Sequence, residues 1–362
     1  MKKILSVFLA VGLVLGLTSC AKKTFREAAK PYGFNTGIAV TSGDILDPEI
    51  QPILKDYCSI IVCENQMKMA NLHPNKKFWN WNDVDKLVEF ADENKIRVKW
   101  HTLFWHQQNA PFATSLTTRE DALAFMDEYI ETVMERYKGK IKEYDVVNEM
   151  FEDDGKGSFR NTHWYKTIGP DYIEHALRKA HEVDPNAKLY LNEYNNEAMG
   201  DPKADAMYNF VKELKEKGVP IDGVGMQLHL DTSYPYNEDA IRKNIQRYAD
   251  LGIEISFSEV DVRIPTNGGE SHVEKQKEIY CSLVKLAKEM PNVKSFITWG
   301  FTDRHSWVPA TFPGKGDALP FDKDMKPKPV FQAMLDELNK NHQIHIKEIK
   351  VQVKGKVVYD AN

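Results

Sequence analysis

Lys142-Glu-Tyr-Asp-Val-Val-Asn-Glu149 is the stretch from which the fold can be read. Val146 and Val147 are β-branched and apolar, so the run reads as a buried strand, and it ends in an Asn–Glu pair. Such a sequence pushes a carboxyl group off the end of a buried element. Gly252-Ile-Glu-Ile-Ser-Phe-Ser-Glu259 repeats the arrangement: an apolar-rich run closed by Glu259, with Asp261 two residues on. Two glutamates at the ends of two strands are the minimum equipment for acid/base cleavage of a glycosidic bond. One protonates the leaving oxygen while the other attacks the sugar or activates water. A single strand-end glutamate is more often a solvated edge residue, so the reading depends on what surrounds the pair.

Outward from these two runs, strand-like and helix-like stretches alternate. Strands are expected at Gly33–Val40, Tyr57–Val62, Lys95–His101, Ile141–Val147, Lys188–Leu191, Ile221–Gln227, Glu254–Ser258 and Val293–Thr298. Amphipathic helices are expected at Asn82–Asn94, Thr118–Lys138, Tyr172–Val183, Asp201–Lys217, Asp239–Leu251 and His272–Met290. Ala122, Phe125, Met126, Tyr129, Ile130 and Val133, for example, recur at three- and four-residue spacing, one apolar helix face. Eight strands, most followed by a helix, predict an α/β fold: a single (β/α)8 TIM barrel. An open doubly wound sheet is disfavoured, since no G-x-G-x-x-G follows the first strand and no phosphate-binding G-x-x-x-x-G-K-[ST] occurs. No Pro/Gly/Ser linker interrupts the run, so residues 31–340 read as one catalytic domain. Residues 341–362 are a short C-terminal extension of apolar alternation whose role the sequence does not disclose.

The net charge of −5 offers no basic footprint, which argues against nucleic acid as a partner. Lys2 and Lys3 precede an apolar run of 14 residues, Ile4 to Leu17. That is short of the ~20 needed to span a bilayer, and its order is that of an export signal. Leu17-Thr-Ser-Cys20 resembles the bacterial lipoprotein cleavage box, so residues 1–20 are read as a signal peptide with lipidation at Cys20. The mature chain is then exported and membrane-anchored, facing the periplasm or the cell surface, with residues 21–30 as a mobile linker. Cys58, Cys63 and Cys281 lack C-x-x-C spacing and fit neither a disulfide framework nor a zinc site. Cys58 and Cys63 read as core residues, with a bridge between them left open.

In a β/α barrel the C-terminal strand ends face one mouth, and catalytic groups come from several of them. The second strand gives Glu64, Asn65 and Lys68, and the third His101, Trp105, His106 and Gln108. Asn148 and Glu149 follow from the fourth, and Asn192, Glu193, Tyr194 and Asn195 from the fifth. The sixth supplies Gln227 and His229, the seventh Glu259 and Asp261, and the eighth Trp299 with Trp307 beyond it. Carboxylates, amides and Lys hold hydroxyls, and indoles receive the C–H faces of pyranose rings. Taken singly, His101 reads equally as a satisfied core histidine and Lys68 as a solvated residue. Trp79, Trp81 and Trp164 read as packing residues.

These motifs, in this order, resemble the family 10 glycoside hydrolases, chiefly endo-β-1,4-xylanases, from Pro31 to Leu338. Cys63-Glu-Asn-Gln-Met-Lys68 and His101-Thr-Leu-Phe-Trp-His-Gln-Gln108 are similar to the family's E-N-x-M-K and H-T-L-x-W-H-x-Q. Asp145-Val-Val-Asn-Glu149, Asn192-Glu-Tyr-Asn195, Gly225-Met-Gln-Leu-His229, Ser258-Glu-Val-Asp261 and Trp299-Gly-Phe-Thr-Asp303 complete the set. The resemblance implies endo-acting, retaining cleavage of xylan and xylo-oligosaccharides, with Glu149 as acid/base and Glu259 as nucleophile. Asn148 would bond the sugar 2-hydroxyl, and His229 would bridge Glu259 and Asp261. Glu64, Asn65, Lys68, His101, Trp105, Gln108, Gln227, Trp299 and Trp307 would line the glycone subsites. It implies no metal and no organic cofactor. Trp100 stands where the family usually has Gly and Tyr144 where it has Trp; Trp100 is expected beside the glycone subsites. Three rivals remain: another β-1,4-glycan such as mixed-linkage glucan or cellulose, a non-catalytic glycan-binding lipoprotein, and a metal-dependent hydrolase. The last would want H-x-H or H-E-x-x-H, and neither occurs.

Overall fold

The computed structural model describes residues 23–340. Eight strands, β1 (Asn35–Val40), β2 (Ile60–Cys63), β3 (Arg97–Phe104), β4 (Glu143–Asn148), β5 (Lys188–Glu193), β6 (Gly223–Met226), β7 (Glu254–Pro265) and β8 (Val293–Thr298), pair in sequence order, all parallel. Pairing of β1 with β8, in the register Asn35 to Ser295, closes the ring. The expected barrel is therefore observed. Every residue of β2 and β4 is buried, because the barrel interior covers one face and the helices cover the other.

Glycine makes room inside the ring at two positions on β6. A Cβ at Gly223 would lie 2.2 Å from the Tyr190 ring, and one at Gly225 only 1.9 Å from Asn192 Oδ1. The missing side chains let β5 fill the interior with Tyr190 and Asn192. Helix ends follow local chemistry. Thr118 caps Arg119–Tyr137 and Asn237 caps Glu238–Asp250, each accepting a backbone N–H of the first turn. Gly139, Gly218 and Gly252, all at positive φ, let the chain turn back into the next strand.

Three expected strands prove longer than their apolar pattern, β5 among them, which continues to Glu193. β3 continues to Phe104, and β7 runs on through Glu259 and Asp261 to Pro265. The outer part of β7 pairs with two short strands, His229–Asp231 and Lys315–Gly316. The catalytic-type carboxylates thus lie on the strand itself, since a barrel interior accepts polar residues where they bond one another. Tyr57 belongs to the helix Gln51–Tyr57, not to β2.

The expected mobile linker at 21–30 is corrected over its described part. Phe25–Ala29 is a helix with a complete capping box from Thr24 and Glu27. Phe25 is buried, its ring 4.6 Å from that of Tyr57 and 5.7 Å from that of Phe331. An apolar anchor of that size outweighs the polar composition that suggested a linker. Residues 1–22 and 341–362, and with them Cys20 and the C-terminal extension, lie outside the described residues.

Trp100 does not adjoin the mouth. It faces outward from β3, fully buried, in register with Tyr144 of β4, and the two rings stack at 6.2 Å. Tyr137 of the overlying helix lies 5.7 Å away. Alternation along β3 explains the correction: with His101 inside, its neighbour must point out. Trp164 is buried in the core, and Trp79 is sandwiched between His73 (3.7 Å) and Trp81 (4.8 Å), packing roles as read. Cys58 and Cys63 are buried free thiols.

Candidate active site

A cleft of about 720 Å³ opens at the C-terminal strand ends. Glu64, Asn65, Lys68, His101, Trp105, Gln108, Asn148, Glu149, Gln227, His229, Glu259, Trp299 and Trp307 all line it. Of the strand-end candidates Asp261, Asn192 and Glu193 stand behind the wall, fully buried.

Glu259 is held by donors on both oxygens. Asn192 Nδ2 donates to Oε1 at 2.8 Å, and His229 Nε2 lies 3.0 Å from Oε2. His229 Nδ1 is 2.9 Å from Asp261 Oδ2, which also accepts from Trp307 Nε1 at 2.8 Å. Burial alone would raise the Glu259 carboxyl. The His229 hydrogen bond and the nearby His101, His229 and Lys68 outweigh it and hold the group at about 2. Burial likewise opposes charge on His229, but Asp261 and Glu259 push it up to about 10. The pair is a carboxylate facing an imidazolium.

Glu149 has different surroundings. It sits one residue past β4 with φ of 56°, its backbone N–H bonded to Asn192 O at 2.8 Å. Trp105 Nε1 donates to Oε2 at 2.7 Å and Gln227 Nε2 to Oε1 at 3.1 Å, both neutral donors. The side chain remains part of the cleft wall, within reach of a ligand.

Amides join the two carboxylates. Gln227 Nε2 bonds both Glu149 Oε1 and Asn148 Oδ1, and Asn192 Nδ2 bonds both Asn148 Oδ1 and Glu259 Oε1. Two donors on Asn148 Oδ1 fix the amide flip, so its NH2 is the end left for a ligand. Ser258 Oγ fixes Asn192 in turn, donating to Oδ1 at 2.6 Å.

On the other side of the cleft Lys68 Nζ lies 4.9 Å from the Trp105 ring centre and 5.6 Å from that of Trp299. Its ammonium is disfavoured by burial, which acts against Glu259, Glu64 and Glu149, and its pKa is lowered. Burial raises the Glu64 carboxyl. Asn65 Oδ1 accepts weakly from Lys68 and from Gln108, each at 3.5 Å. Below the floor, His101 Nδ1 bonds Asp145 Oδ2 at 2.9 Å, and Lys99 pairs with Asp145 Oδ1 at the same distance.

The cleft also contains groups the sequence reading left without a role. Tyr194 stood at a strand end but carried no assignment, as did Asn192, which is buried behind the cleft wall. Asp153, Arg160 and Phe312 come from loops with no period or motif to mark them, and Arg263 from the outer part of β7 beyond its apolar run. Among the described residues no group of three or more His, Cys, Asp and Glu is placed to hold a metal ion.

A parallel barrel whose mouth carries two carboxylates in contrasting environments, amides between them and indoles around them, defines a glycoside hydrolase. Comparison with known proteins makes the class specific: residues 24–337 match the model of glycosyl hydrolase family 10, and the chain belongs to that family. Endo-1,4-beta-xylanase B of Thermotoga neapolitana is 40% identical over 284 residues, covering 78% of this chain and 81% of the relative. A thermostable celloxylanase of Thermoclostridium stercorarium is 36% identical over 341 residues, 86% of each. Xylanase 10B of Thermotoga petrophila, solved in complex with xylobiose, superposes with a TM-score of 0.83 at 40% identity, covering 87% of this chain and 97% of that one.

Proposed function

We propose that this chain hydrolyses internal β-1,4-xylosidic bonds of xylan with retention of configuration, by double displacement. The observation that carries the reading is the contrast, within one cleft, between Glu259, held ionised by His229 and Asn192, and Glu149, whose carboxyl oxygens accept hydrogen bonds from the neutral Trp105 and Gln227. In the first step a Glu259 oxygen attacks the anomeric carbon while Glu149 gives its proton to the departing glycosidic oxygen. The glycosyl ester formed removes the charge on Glu259. Glu149, now a carboxylate, takes a proton from water as that water attacks the same carbon and releases Glu259. The free NH2 of Asn148 is suited to a sugar 2-hydroxyl, whose bond strengthens as charge develops.

The Thermotoga relative solved with xylobiose and the relatives named as xylanases support the sugar assignment. The test is proton NMR of xylohexaose cleavage: the β-anomer should appear first and then mutarotate. The α-anomer appearing first would overturn retention. Relatives named as a celloxylanase and an exoglucanase favour a second reading, action on β-1,4-glucans. Comparable kcat/KM on barley mixed-linkage glucan would support it.

We also propose that the enzyme is exported and tethered to a membrane through lipid on Cys20. The charged-then-apolar start and the Leu17-Thr-Ser-Cys20 ending support this. A Cys20→Ser chain should leave the membrane fraction; retention there would count against the anchor.

A further inference from the structure

Behind the Glu149 half of the cleft lies a cluster that the chemistry above does not use. Glu193, the last residue of β5, is fully buried and accepts from the backbone N–H of Phe151 and of Tyr194, each at 3.0 Å. Its carboxylate thereby ties the loop after β4 to the end of β5. Lys203, in the first turn of the helix Pro202–Glu216, is also buried. Its Nζ lies 3.2 Å from Glu193 Oε1, donates to Asp153 Oδ1 at 3.0 Å, and sits 3.5 Å from the centre of the Tyr194 ring. Two carboxylates and one aromatic face occupy its three N–H groups.

Asp153, Tyr194 and Arg160 line the cleft; Lys203 does not. The Tyr194 hydroxyl bonds Asp153 Oδ2 and accepts from Arg160 Nη2 at 3.0 Å. Arg160 Nε also donates to the backbone carbonyl of Glu149 at 3.0 Å. This part of the wall therefore adjoins the group that protonates the leaving oxygen, on the side where the departing sugar must lie. One ammonium holds the Tyr194 ring from behind and fastens Asp153 beside it. Burial lifts the Glu193 carboxyl to about 7 even with Lys203 against it, and Asp153, which shares Lys203, also lies 3.8 Å from Arg160 Nη2.

We propose that Lys203 is a positioning residue for the leaving-group half of the cleft: it never touches substrate but sets Tyr194 and Asp153 to receive the sugar beyond the scissile bond. This rests on the xylan-hydrolase reading. The test compares xylohexaose, which spans the cleft, with β-xylobiosyl fluoride, whose leaving group is a single atom. In Lys203→Met we expect kcat/KM on xylohexaose to fall about tenfold, mainly through KM, and on the fluoride to stay within about twofold. Lys203→Arg should recover part of the loss. Asp153→Asn, at a half-exposed position where folding is not at stake, should raise KM for xylohexaose and leave the fluoride alone. Equal losses on both substrates, or no loss on either, would overturn the proposal while leaving the function intact. A wild-type chain inert to both would instead sink the xylan-hydrolase reading itself.

Discussion

His229 and Glu259 meet at 3.0 Å, and each fixes the other's charge. Because the Glu259 carboxyl is depressed to about 2, it stays ionised through the whole weakly acidic range. Because His229 is lifted to about 10, it stays protonated there too.

The sign of the stability effect follows. A depressed carboxylate contributes fully above its unfolded value of about 4.3 and loses its contribution as pH falls toward 2. A raised imidazole contributes fully below about 6.5 and loses its contribution as pH rises toward 10. The pair is therefore at full strength between about pH 4.5 and 6.5. In Asp261→Asn, which withdraws one of the two anions behind His229, this plateau should drop in height with its edges unmoved in Tm-against-pH scans. The acid limb of kcat/KM should move up by about one unit. An unchanged acid limb would show that Asp261 does not act through His229.

Glu149→Ala should separate substrates by leaving group. Polymeric xylan, whose departing alcohol needs a proton, should lose about 10²- to 10⁴-fold in kcat. The glycosylation step of a 2,4-dinitrophenyl xylobioside, which needs none, should be nearly spared, and azide should speed its turnover. Parallel losses in pre-steady-state assays would remove Glu149 from the acid role.

Gly225→Ala tests the interior of the barrel. Its Cβ would meet Asn192 Oδ1 at 1.9 Å, so the amide that bonds Ser258, Asn148 and Glu259 must shift. Loss of one preorganised donor to the nucleophile should cost roughly 100-fold in kcat. Gly223→Ala, which meets the Tyr190 ring instead, should lower Tm but leave kcat of the folded enzyme close to wild type. Similar kcat for the two variants would contradict this assignment.

Phe25→Ala should destabilise the domain by about 3 kcal/mol, a fall in Tm of about 6 °C, since the ring is buried between Tyr57 and Phe331. A Tm unchanged within error would restore the view of this segment as a linker.

How much of this was legible beforehand divides by the kind of signal involved. Strands buried on both faces announce themselves as apolar runs, and the groups at their ends could be collected before any coordinates. Thirteen of the candidates line one cleft because barrel topology, not local sequence, brings them there. What misled was side-chain direction and the reach of an anchor. Trp100 is next to His101 in sequence but on the opposite face of β3, paired with Tyr144 on the neighbouring strand. The two departures from the family pattern, at 100 and 144, are thus one packing arrangement, remote from substrate. Arg160 lies on a loop without a periodic signal, and Lys203 on an expected helix whose pattern does not say what its ammonium reaches; only the folded chain shows what they hold.

Phe25 rests on Phe331, and β1 completes the ring only by pairing with β8. The helix Phe25–Ala29 therefore has Tyr57 on one side early but lacks its cover from Phe331 until the final described helix has been synthesised. A ribosome delivering this chain from its N-terminus leaves that apolar surface waiting for almost the entire length of translation, and closure across so long a loop is entropically slow. Among the described residues, the first and last helices must find each other before either is fully protected.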